Sequence, residues 1–124
     1  MNMPAKWVAL TACILALSGV VMAALGSHLV DLQGVERGES IWRTATTLHL
    51  FGAAAILAMS AWLNATSSKT LLWASWMLIM GTVIFCASLY MRVISAGTLT
   101  GAAPAGGLIM MSGWLVAIWA LLRR

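Results

Sequence analysis

A chain of 124 residues that is 62% hydrophobic and only 8% charged cannot cover a water-facing surface, because soluble domains hold roughly 25% charged and about 45–50% apolar residues. That excludes a cytosolic enzyme, a disulfide-built secreted module and a disordered chain. The net charge of +4 is scattered over chain ends and loops, so it is no nucleic-acid footprint, and membrane lipids are the expected surroundings.

The composition predicts an all-α, integral membrane four-helix bundle forming a single transmembrane domain over 1–124, with spans at about 7–30, 44–63, 71–91 and 103–122. Trp7 to Val30 carries no formal charge, and about 20 apolar residues at 1.5 Å each suffice to cross a bilayer. The other three stretches are bounded by charges or by Gly, Pro, Ser and Thr. In hydrocarbon, each backbone polar group needs an internal partner, so these segments should be helices. Lys6, the apolar run and Val21-Met22-Ala23 resemble a signal peptide, but the run exceeds the usual 7–15 residues or so, and an uncleaved first span is expected.

Four spans place both ends on one side, with Lys6, Lys69, Arg123 and Arg124 there and Arg37, Arg43, Arg92 and all three acids opposite. The positive-inside rule counts Lys and Arg, so the expectation is an inner (cytoplasmic) membrane protein with both termini cytoplasmic. Trp7, Trp62, Trp73, Trp76 and Trp119 fall near the cytoplasmic interface, and Trp42 and Tyr90 near the other, as aromatic belts do. Trp114 falls mid-span.

Helices in lipid associate through small residues and close backbones. The first span offers Ala12, Ala16, Gly19, Ala23 and Gly26 as one stripe, and the fourth offers Gly106, Gly113, Ala117 and Ala120. The third has Ala74, Gly81 and Ser88, and the second is crowded around Gly52 and Ala53. These seams suit packing within the chain or against partner subunits. Cys13 and Cys86 read as small core residues. Their ~13 Å offset along the spans exceeds the ~7 Å limit for a bridge.

One constellation carries possible chemistry. His28, Asp31, Arg43, Thr46, Thr47, His49, Tyr90 and Arg92 all fall toward the non-cytoplasmic side, and ionisable groups within spans are costly unless they face protein or water. His28 and His49 are candidate cofactor ligands, for haem iron or copper, or hydrogen-bond donors to a quinone. The competing reading is structural: His49 bonds a neighbouring backbone, His28 faces headgroups, and Arg43 and Arg92 snorkel to phosphates. No resident cofactor, metal site or catalytic residue is expected. A proton-coupled small multidrug exporter needs a carboxylate inside a span, and all three acids here lie in one loop. The Asn64-Ala65-Thr66 sequon sits at the cytoplasmic membrane edge and carries no expected role.

Gly81 to Tyr90, Pro104-Ala105-Gly106-Gly107, Gly113-Trp114 and Gly26-Ser27-His28 together resemble a family of small four-span membrane proteins that includes bacterial YgdD and eukaryotic transmembrane protein 256. The resemblance covers most of the chain. It implies an inner-membrane four-span fold and no particular activity. In that family the first span closes on a His matched by His28, and the second carries a His where this chain has Gly52, one turn beyond His49. The functional expectation is a non-enzymatic accessory or assembly subunit of a larger respiratory or redox membrane complex. The alternatives are a haem-, quinone- or copper-binding module using His28 and His49, and an oligomeric lipid or small-solute channel.

Overall fold

A computed structural model describes residues 1–28, 32–34, 36–95 and 102–123. It contains α1 (Met3–His28), α2 (Gly38–Thr66), α3 (Lys69–Ile94) and α4 (Ala102–Leu122) and no strand among the described residues. All four helices are long and apolar enough to cross a membrane.

The helices overrun the predicted spans, most at the start of α2, which begins at Gly38 and not at Thr44. Charge marks where lipid ends, not where a helix does. Glu39 and Arg43 sit one turn apart and pair at 3.0 Å on the exposed face, a spacing helices favour. The predicted 64–70 connection shrinks to Ser67 and Ser68 for a local reason. Ser67 takes a left-handed conformation (φ 51°) and its N–H donates to the Leu63 carbonyl at 2.8 Å, ending α2. Ser68 then accepts from the Leu71 N–H at 3.2 Å and caps α3, satisfying a donor that the first turn leaves open.

Asn2 fixes the other joint at this end. Its side-chain oxygen accepts from the Ala5 N–H at 2.9 Å, and its backbone N–H donates to Asn64 Oδ1 at 2.8 Å. The start of α1 is thereby held against the end of α2. Ala5 shares a buried cluster with Leu63, Leu71 and Ala120, so both chain ends lie at the same end of the helices.

Neighbours in sequence are neighbours in space: α1 packs on α2, α2 on α3, α3 on α4, and α1 reaches α3 over a smaller area. Among the described residues α1 and α4 do not approach each other. The bundle is therefore open along one side, and α1 and α4 expose broad apolar faces while α2 and α3 form the centre.

The small-residue stripes face helices of the same chain. Ala12 and Gly19 are buried and Ala16, Ala23 and Gly26 half-buried, while Gly81, Ser88, Gly106 and Gly113 are buried. A Cβ on Gly81 would stand 2.6 Å from Met110 N and 2.9 Å from the Gly106 carbonyl oxygen, and one on Gly106 would stand 2.8 Å from Phe85 Cα. Backbone meets backbone there, as close packing in lipid requires. Ser88 does not bond across helices; its hydroxyl donates to the Ile84 carbonyl of its own helix at 2.5 Å.

Three expectations are corrected. Cys13 is exposed and only Cys86 is buried, because turning Ala12 and Leu15 inward leaves Cys13 and Ile14 between them pointing outward at 100° per residue. Trp42 and Tyr90 are 3% and 6% exposed and do not sit in an interfacial belt. They face inward and stack on each other, centroids 4.8 Å apart. Trp73 (70% exposed), Trp7 and Trp119 do face outward, Trp76 less so, and Trp62 is half-buried against the core.

Candidate functional site

Three helices converge on one imidazole. His49, buried on α2, has Nδ1 3.0 Å from the Tyr90 hydroxyl of α3 and Nε2 3.0 Å from the Ser18 hydroxyl of α1. Ser18 also donates to the Leu15 carbonyl at 3.0 Å. The neighbouring Gly19 makes this approach possible, since a Cβ there would lie 3.3 Å from His49 Cδ2 and closer still to Leu50. Toward the loop end, Trp42 Nε1 donates to the Met22 carbonyl at 2.9 Å and occupies the space that Gly26 leaves without a side chain. Cys86 Sγ lies 3.4 Å from the Ala45 carbonyl.

Beside the imidazole lies a cavity of about 270 Å3, bounded by Leu15, Ser18, Met22, His49, Thr82, Val83, Cys86, Ala87 and Tyr90. Its walls are mostly apolar, with a few polar groups gathered at His49. Val83 and Ala87 are exposed, so the cavity opens toward lipid along α3. Thr82 is 1% exposed, and its hydroxyl has no hydrogen-bond partner among the described residues. A Cβ on Gly52 would come within 2.9 Å of that hydroxyl, so the glycine leaves it room.

Residues 22–107 match the profile of the family described as protein of unknown function DUF423. The chain belongs to the DUF423 family. It is 32% identical over 109 residues to a UPF0382 membrane protein of Staphylococcus epidermidis, covering 87% of this chain and 88% of the relative. It is 30% identical over 104 residues to a UPF0382 membrane protein of Staphylococcus saprophyticus, covering 83% and 86%. No solved structure matches the chain. The DUF423 membership agrees with the small four-span membrane family that the glycine-rich segments resemble.

In this DUF423 chain the predicted polar cluster divides. His49 and Tyr90 come together. His28 is exposed at the end of α1, and the ten residues separating it from Ser18 place it ~15 Å along the axis from the imidazole. His28 and His49 therefore do not share one site, and both His49 nitrogens already face hydroxyls. A haem iron or copper ion bound by this pair does not fit the donor set, and no group of three or more His, Cys, Asp or Glu gathers among the described residues. Arg43 and Arg92 are exposed, Arg92 bordering a separate groove with Glu36 and Arg37. Thr46 bonds back to its own helix and Thr47 is exposed. Asp31 lies outside the described residues. The sequence reading missed Ser18 and Thr82, two hydroxyls inside otherwise apolar stretches; their position beside small residues was the available signal.

Proposed function

We propose that this chain is a non-enzymatic inner-membrane protein, both ends cytoplasmic, that holds a small, neutral, lipid-soluble molecule in the cavity beside His49. The observation that carries the reading is the cavity itself, placed against the Ser18–His49–Tyr90 network and open to lipid. Mostly apolar walls with a few convergent polar groups are the usual character of a small-molecule site. A buried imidazole bonded at both nitrogens supplies orientation and neither a free base nor a free nucleophile, which supports a binding role over catalysis.

The test is native mass spectrometry on tagged protein extracted gently from its own membranes, with and without Ala87→Phe. Phe at the exposed mouth obstructs entry without disturbing the core. An additional small mass in the parent protein, absent from the variant, supports the reading. A bare chain in both sinks it.

A second reading, an accessory or assembly subunit of a larger respiratory or redox complex, is favoured by the exposed apolar faces of α1 and α4 along the open side of the bundle. It predicts partner chains in fixed ratio in the same spectrum. The small-residue stripes no longer support it, since they are used within the chain. A channel would need polar groups continuing from one end to the other, and the buried serines Ser60, Ser75 and Ser88 instead bond back to their own helices.

A further inference from the structure

We infer that the molecule held beside His49 is a neutral hydroxyl compound, such as a phenol, quinol or small alcohol, recognised through its own proton. This rests on the binding reading above and comes from accounting for every proton at the polar end of the cavity.

Ser18 has one proton, and its hydroxyl lies 3.0 Å from the Leu15 carbonyl, which has none to give. The serine proton therefore goes to that carbonyl. The 3.0 Å contact between Ser18 and His49 Nε2 must then run the other way, from ring N–H to hydroxyl oxygen. Among the described residues no carboxylate pairs with the imidazole inside the span, so the ring is neutral and Nδ1 is bare. Tyr90 donates its hydroxyl proton to that nitrogen at 3.0 Å. The chain of bonds has one direction, from Tyr90 to His49 to Ser18 to Leu15. In the reverse direction, Ser18 and Leu15 would oppose two lone pairs at bonding distance.

Elsewhere on the cavity wall, the Cys86 thiol donates to Ala45. The Thr82 hydroxyl is enclosed beside Gly52 with almost no accessible surface. What the cavity offers an occupant is thus lone pairs only, on the Tyr90 and Ser18 oxygens. A carbonyl or ether would set its own lone pairs against these. A hydroxyl sets a proton there and completes the chain. The remaining walls (Leu15, Met22, Val83 and Ala87) suit an apolar ring, and the volume of about 270 Å3 has room for one.

The experiment uses the full chain in lipid nanodiscs. Nitrogen NMR on isotope-labelled histidine should show His49 protonated at Nε2 and bare at Nδ1; the opposite tautomer overturns the inference. Fluorine NMR then compares para-fluorophenol with its methyl ether, para-fluoroanisole. The phenol should bind about tenfold more tightly, the worth of one buried hydrogen bond, and Ala87→Phe should abolish saturable binding of both. Equal binding of the ether overturns the hydroxyl inference and leaves the binding reading standing. Saturable binding of neither probe, or phenol binding unaffected by Ala87→Phe, overturns both.

Discussion

Gly106 and Gly107 are adjacent in α4, yet alanine at the two positions should act with opposite sign. A Cβ on Gly106 would lie 2.8 Å from Phe85 Cα and 3.0 Å from Phe85 Cβ, where carbon atoms prefer about 3.5–4.0 Å. The obstacle is backbone, so no side chain can swing away and α4 must shift outward by roughly the deficit, also loosening the Gly81–Met110 contact one turn on. Overpacking costs about 1–3 kcal/mol, and the better helix propensity of alanine returns about 1 kcal/mol. With rigid backbone on both sides, the net loss for Gly106→Ala should be about 1–2 kcal/mol. A Cβ on Gly107 would rest 3.7 Å from the Phe85 ring, ordinary contact, so Gly107→Ala should keep the propensity gain of up to about 1 kcal/mol. Reversible unfolding in mixed detergent micelles, followed by tryptophan fluorescence, measures both. A Gly106→Ala protein as stable as the parent, or a Gly107→Ala protein weaker than Gly106→Ala, would refute the packing argument.

Thr82→Val removes a buried hydroxyl that has no partner among the described residues while keeping its shape, and should raise stability by about 1 kcal/mol in the same assay; a loss would show that the hydroxyl is bonded after all. Gly26→Ala should destabilise the fold by driving a methyl into the Trp42 indole, and much less so in a Trp42→Phe background, with a coupling on the order of 0.5–3 kcal/mol in a double-mutant cycle. Additive effects would mean the two residues do not meet. Glu39→Gln should leave the unfolding midpoint unchanged, since the Glu39–Arg43 pair is 65% and 76% exposed and such pairs contribute little.

The four spans were legible because length and apolarity are written directly in the chain. Their ends were less so: Glu39 and Arg43 announce the limit of the lipid, while the helix carrying them continues to Gly38. Helix rotation was read poorly. Trp42 and Tyr90 were expected in an aromatic belt, but the faces they occupy turn toward α1 and each other, a fact that depends on how the helices are rolled. The histidine pair failed on axial register. His49 could be flagged as a polar group inside a span, but its partner is set by how far α1 slides against α2, and that offset brings Ser18, not His28, to the ring. Ser18 itself was hidden by its resemblance to the small residues around it. The bare hydroxyl of Thr82 depends on a rotamer and on the absence of a side chain at Gly52.

The chain of neighbours from α1 to α4 has a consequence for how the protein is made. Each helix emerging into the membrane finds its docking surface on the helix released just before it, so no span has to wait for a distant partner. Contacts of short sequence separation close quickly. The imidazole and its two hydroxyls belong to α1, α2 and α3 alone. The order of synthesis therefore completes the site before α4 enters the bilayer, and α4 arrives as a brace clipped onto the outer flank of α3.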